Sequence, residues 1–320
     1  MWAQHIFRSS VRPIAAWMLL FLTCQSSPGE SAPRRATQWT TNDVIALVGG
    51  EDLVAWQFHP YFELQLQRRL GGQAPRFRNL AWEGDTVFEQ QRDLNFPKWP
   101  EQLRRVGATI VLCQFGQNEA LRAPESRRTF ERQYHVLLDI LRADGRQLVL
   151  LTPTPFEPAG PGLADLSARN HSVEALANVV QGIARQRQTL FVDLFHPLAT
   201  AARSGARLTR DGFHLNPRGH WLAAAEISRQ LGLGDPGPVP TLDDIHGTFR
   251  DAELESLRRP LAEKNRLWFD YWRPQNWAFL NGDRVEQPSS RDHRDRTIRW
   301  FPREMEQFLP LIARKEVEIA

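Results

Sequence analysis

From residue 44 onward the chain alternates short, near-continuously apolar runs with longer amphipathic ones. The runs 44–48, 77–81, 109–115, 147–152 and 189–194 have strand length and little polar alternation, as strands covered on both faces do. Between them apolar residues recur at helical spacing over 55–70, 99–106, 125–143, 166–187 and 217–231. Strand and helix in this alternation predict an α/β fold, a three-layer α/β/α arrangement on a mainly parallel five-stranded sheet with right-handed crossovers.

The pattern breaks at Gly234-Asp-Pro-Gly-Pro-Val-Pro240, where glycine and proline support neither a helix nor a central strand. Beyond it lie an amphipathic run at 252–271 and then an irregular stretch containing Trp272, Trp277 and Trp300. These rings together with Trp268 are too apolar for a solvated tail, so the Trp-rich segment 235–320 is expected to pack on an α/β domain spanning 42–234. A sugar-binding platform is the sharper alternative for them. At the other end Arg8 and Arg12 precede a short apolar run, 13–23, and a segment rich in small residues. That order predicts a signal peptide over 1–32 and a secreted or periplasmic protein. The run is too short for a stable membrane span. Cys24 follows Phe21-Leu22-Thr23, a poor match to the small residues a lipidation site prefers, so a lipoprotein anchor is the less favoured expectation.

Charge adds little. The net charge is +3 and the arginines are interspersed with acids, so no nucleic-acid partner is expected. Cys113 sits in an apolar run and is the only cysteine besides Cys24, which excludes a disulfide framework and predicts a buried thiol. His196, Asp211, His214 and His220 lack a compact ligand spacing, and no metal or cofactor is expected. His220, His135 and His171 fall in helical patterns. His220 is read as a packing or surface residue, the other two as solvated.

Open α/β sheets bind ligands beyond the carboxyl ends of their strands. The loops there read Gly49-Gly50-Glu51-Asp52, Trp82-Glu83-Gly84-Asp85 and Gly116-Gln117-Asn118-Glu119. A fourth loop, Asp211-Gly-Phe-His214, leads into a helix that Pro217 is suited to start. A carboxylate three residues before an imidazole can orient the ring and stabilise its positive charge, the base half of a Ser-His-Asp type site, although such pairs also occur in ordinary loops. Asn118 fits either an amide aimed into a cleft or a turn residue capping the next helix.

Over residues 43 to 232 these blocks, in this order, resemble the SGNH hydrolase superfamily, also called the GDSL esterase/lipase family. The resemblance implies that His214 is the general base and Asp211 its partner. It further implies that the Asn118 amide and the Gly84 N–H form an oxyanion hole. The first block departs from the family: Glu51 stands where the nucleophilic serine belongs, and no Ser or Thr lies between Asp43 and Asp85. Attack by a carboxylate on an ester would give an anhydride rather than a stable acyl-enzyme. Three readings follow: Glu51 acts on water as a general base, the site is catalytically silent and binds only, or another hydroxyl such as Thr86 serves. The expectation is hydrolysis of an ester, an acyl or acetyl group on a carbohydrate or other polar small molecule, with silent binding as the alternative and acyl transfer as a third possibility. The segments Lys264-Asn265 and Trp272-Arg273-Pro274-Gln275-Asn276 are similar to the extension of secreted SGNH-like proteins of planctomycete-type bacteria.

Overall fold

A computed structural model of the chain describes residues 35–122 and 127–320. The expected signal peptide at 1–32, Cys24, and the start of the expected 125–143 helix lie outside the described residues. Among the described residues five strands form, β1 (Val44–Gly49), β2 (Arg76–Asn79), β3 (Ile110–Gln114), β4 (Gln147–Leu151) and β5 (Leu190–Val192). They make one parallel sheet in the order β2-β1-β3-β4-β5. The helices of the α/β region are α1 (Glu51–Val54), α2 (Tyr61–Leu70), α3 (Trp99–Val106), α4 (Arg127–Arg142), α5 (Asn170–Arg187), α6 (Phe195–Arg203) and α7 (Pro217–Gln230). The C-terminal region adds α8 (Ala252–Trp272), α9 (Trp277–Leu280), α10 (Trp300–Glu306) and α11 (Phe308–Ile319).

Successive strand residues point to opposite faces, and here both faces are apolar. Ile45, Leu47, Ile110, Leu112, Val149 and Leu151 enter one core with Trp221 and Ile227 of α7 and Phe62 and Leu64 of α2. Ala46, Val48, Val111, Cys113, Leu148 and Leu150 enter the other with residues of α3, α4 and α5. Cys113 is a free, buried thiol whose pKa burial pushes above the usual range.

The structure departs from the sequence pattern in three places. The expected 55–70 helix is interrupted at Pro60, which has no N–H to give to the preceding turn, and α2 begins only at Tyr61. The stretch beyond 271 is not irregular throughout, because it contains α9, α10 and α11. His135 is half-buried rather than fully solvated, and its Nδ1 accepts a 2.8 Å hydrogen bond from Arg187 Nε. His220 is buried and stacks on His59 at 4.8 Å between ring centroids.

β2 is an edge strand, and α8 lies against it. Leu261 of α8 belongs to one core and Trp268 and Trp272 to the other, so the helix passes from layer to layer along that edge. Trp268 Nε1 donates to the Asn79 carbonyl at 2.8 Å, and Arg78 reaches Glu316 at 2.6 Å with its guanidinium 5.0 Å from the Trp268 ring. Deeper in, Lys264 Nζ bonds Glu63 Oε1, and Asn265 Nδ2 donates to Glu63 Oε2 at 3.1 Å. All three side chains are buried, so the pair must be kept whole.

Removing one partner strands a buried charge. Lys264→Met is expected to lower the urea unfolding free energy by about 3–5 kcal/mol, and Glu63→Leu with Lys264→Met to recover most of that loss. An additive double variant would show that the two groups do not act as a pair.

Candidate active site

The strand order places a topological switch point between β1 and β3, and the site is built there. β1 and β3 approach so closely at their ends that a Cβ on Gly49 would stand 2.3 Å from the Gln114 carbonyl oxygen, which only glycine avoids. The chain turns at Gly50, and Glu51 opens α1. Across the gap lie the loops after β2 and β3.

Three hydrogen bonds converge on the Glu51 carboxylate. Oε1 accepts from the Gly84 N–H at 3.0 Å and from Asn118 Nδ2 at 3.2 Å, and Oε2 accepts from the same amide at 2.9 Å. Gly84 adopts a positive φ of 76°, a conformation L side chains rarely take. The two groups that the family resemblance assigns to an oxyanion hole therefore already hold an oxygen acceptor. The cavity left beside them, lined by Gly50, Glu51, Asn118 and Pro153 among others, is about 20 Å³, room for a single water.

The same edge carries further buried carboxylates. Glu119 accepts from the Val87 N–H and the Gly116 N–H, both at 2.8 Å, and so fastens the β2 loop to the β3 loop. Asp85 receives two 2.7 Å bonds from Arg92, whose guanidinium lies 4.6 Å from the Trp82 ring. Asp52, directly after Glu51, accepts from Thr154 Oγ1 at 2.6 Å. Burial pushes all three carboxyls up, Asp52 and Asp85 to about 6 and Glu119 to about 7, and the nearby Glu51 adds to each shift.

The imidazole side is equally well held. His214 Nδ1 lies 2.7 Å from Asp211 Oδ2, while Oδ1 of Asp211 accepts from the backbone N–H of His214 at 2.8 Å and of Phe213 at 3.0 Å. Burial alone would raise Asp211, but these bonds outweigh it and bring the carboxyl down to about 2. The loop is anchored from beneath by Glu157, which accepts from the backbone N–H groups of Leu208 and Thr209 at 2.9 and 2.8 Å. A Cβ on Gly212 would stand 2.7 Å from the Glu157 carbonyl oxygen, so the loop packs tightly there. Beyond the loop Asn216 caps α7 by accepting from Gly219 N at 2.8 Å, with Pro217 in its first turn.

Gln117 joins the two halves. Its Nε2 donates to Thr154 Oγ1 at 3.0 Å and to the Phe213 carbonyl at 3.3 Å, so a chain of hydrogen bonds runs from Asp52 through Thr154 and Gln117 to the residue before His214. Gly84, Asn118 and Glu51 thus meet directly, and Asp211 with His214 joins them through Gln117. Glu51 and His214 share neither a hydrogen bond nor an ion pair among the described residues. Thr86 turns into its own loop, its hydroxyl donating to the Glu89 carbonyl at 3.3 Å and accepting from the Glu89 N–H at 3.1 Å. Among the described residues no three His, Cys, Asp or Glu side chains are placed to hold a metal ion.

The GDSL-like lipase/acylhydrolase family model matches residues 46–222, which include every loop of this site. The chain belongs to that family. Solved structures of similar fold include a catalytic mutant of an acetylxylan esterase from Geobacillus stearothermophilus, at 16% identity and TM-score 0.51, covering 60% of this chain and 95% of that one. A candidate GDSL-like lipase from Parabacteroides merdae ATCC 43184 is 16% identical with TM-score 0.50, covering 63% of this chain and 100% of that one. A gut microbial diltiazem-metabolizing enzyme is 14% identical with TM-score 0.48, covering 64% of this chain and 49% of that one, so this chain spans about half its length. At these identities the likeness is one of fold. No curated protein matches the sequence.

On this acylhydrolase frame the sequence marks Glu51, Gly84, Asn118, Asp211 and His214, but not the groups that position them. Asp52 had a signal, being the second acid of its loop. Gln117, Thr154 and Glu157 had none, because their partners lie 37 to 102 residues away.

Asp52 supplies a test of the buried acids. With its folded pKa above the unfolded value, stability falls as pH rises from about 4 to about 6, and the full cost persists above. Asp52→Asn mimics the protonated form. It is expected to raise stability at pH 8 by roughly 1–3 kcal/mol and to flatten the decline between pH 4 and 6 in thermal melts. An unchanged pH profile would mean that Asp52 carries no such cost.

Proposed function

We propose that this chain is a catalytically silent acylhydrolase, in which Glu51 blocks serine-type turnover of a polar ester, an acyl or acetyl group on a carbohydrate or other polar molecule. The observation that carries this is the seat of the Glu51 carboxylate on the Gly84 N–H and the Asn118 amide. Acyl transfer needs those donors for the oxygen that becomes negative in the tetrahedral intermediate, and each is typically worth on the order of a hundredfold or more in rate. With Glu51 in place the substrate oxygen has nowhere to go. Forced in beside it, an oxyanion at about 4 Å from a carboxylate is repelled by about 4 kcal/mol at an effective dielectric of 20. The single-water volume left beside Glu51 points the same way.

A second reading draws on the Asp211–His214 pair, whose 2.7 Å bond and backbone donors match a working base. In that reading Glu51 leaves the hole and directs water at the ester, with His214 sharing the proton.

The two are separated with p-nitrophenyl acetate and a peracetylated monosaccharide. Wild type, Glu51→Gln and His214→Ala are expected to show one common background rate. Glu51→Ser, which empties the hole and restores a hydroxyl near an oriented base, is expected to rise above it by at least about tenfold and to become labelled by a serine-directed phosphonate. Wild-type turnover that is lost in both Glu51→Gln and His214→Ala would establish the second reading instead. Phosphonate labelling of wild type would overturn both.

A further inference from the structure

We propose that a second cleft, between α3 and the C-terminal helices, binds a neutral saccharide unit. It has a volume of about 220 Å³, and its lining includes Phe96, Arg105, Tyr271, Trp272, Asn281 and Glu306. That is about eleven times the space beside Glu51, enough for one sugar ring.

The chemistry of the walls selects the ligand. Aromatic rings are part of the lining: the Phe96 ring stands edge-on to Trp272 at 5.9 Å and packs on Trp277 at 4.7 Å. Arg105 supplies donors, and it is already fixed, with Nη2 donating to the Tyr271 hydroxyl at 2.7 Å and its guanidinium 5.6 Å from the rings of Tyr271 and Trp272. Glu306 supplies an acceptor of opposite charge. A purely apolar ligand would desolvate Arg105 and Glu306 without replacing their hydrogen bonds. An anion would meet Glu306, and a cation would meet Arg105. A neutral polyol presents C–H faces to the rings, and its hydroxyls both donate to a carboxylate and accept from a guanidinium.

The cleft is also linked to the Glu51 site. Phe96 packs edge-on against Trp82 at 5.4 Å, and Trp82 stands two residues before Gly84. Arg273 lies 3.9 Å from the Trp82 ring and donates to Glu83 at 2.7 Å, so the loop that ends in the hole is clamped from the cleft side. One ring therefore separates a saccharide in this cleft from the loop carrying Gly84. The inference goes beyond the reading above, because binding here is independent of whether the Glu51 site turns over.

The test is isothermal titration of the full chain with xylotetraose, cellotetraose and mannotetraose, alongside an oligogalacturonate and a chitosan tetramer as charged counterparts. At least one neutral tetraose is expected to bind with Kd below about 10 mM and to be weakened at least about tenfold by Arg105→Ala and by Glu306→Gln, while Glu51→Gln leaves it unchanged. Both substituted side chains are exposed, and circular dichroism checks that the variants remain folded. Three results would each overturn the proposal: no neutral tetraose binding in that range, binding insensitive to both cleft variants, or tighter binding of either charged oligomer. Binding lost in Glu51→Gln alone would assign the saccharide to the other site and equally defeat it.

Discussion

The three hydrogen bonds that end on the Glu51 carboxylate hold the carboxyl edge of the sheet together. They join the turn after β1 to Gly84 beyond β2 and to Asn118 beyond β3, loops separated by 33 and 67 residues of sequence. In a site built for acyl transfer such donors stand partly unsatisfied, a cost that binding of the transition state recovers. Here the chain supplies its own acceptor, and Glu119 does the same for the N–H groups of Val87 and Gly116. The arrangement trades electrostatic readiness for loops bonded to one another. The remaining cost lies in the crowding of acids, which burial and mutual repulsion express as raised pKa values of Asp52, Asp85 and Glu119.

Much of this frame is legible in the sequence, for a physical reason. Strands buried on both faces must be continuously apolar, so β1, β3 and β4 stand out, and the parallel sheet follows from the helices between them. Short elements are not legible in that way. α1 and α9 have one turn each, α6 follows β5 almost without a break, and α10 and α11 follow one another with a single residue between them. For the site, Asp211 and His214 declare themselves by spacing, because their partnership is local. What Glu51 faces is decided by where two distant loops arrive, and no pattern near residue 51 records that.

Spacing also misleads. Asp193-Leu-Phe-His196 repeats the Asp-x-x-His pattern, and it folds the same way: His196 Nδ1 lies 2.7 Å from Asp193 Oδ2, and the His196 N–H donates to Asp193 Oδ1 at 3.2 Å. The ring's other nitrogen meets Glu174 at 3.4 Å, and Asp193 takes a bond from Thr152, so this pair serves the start of α6. The two motifs differ in their surroundings. Only Asp211-Gly-Phe-His214 is tied through Gln117 to the switch point.

The position of α8 bears on how the molecule behaves among its own copies. An uncovered parallel edge strand offers a row of unpaired peptide groups to any strand that drifts alongside, and sheets left in that state grow by accretion. Trp268 takes the Asn79 carbonyl and the helix body fills the remaining space beside β2, so the sheet has a defined last strand. A protein cut at the Gly/Pro-rich break after residue 233 would keep its catalytic-type loops yet carry a sticky margin. Shortened descendants of this chain would therefore need another cover for that edge before they could remain dispersed at high concentration.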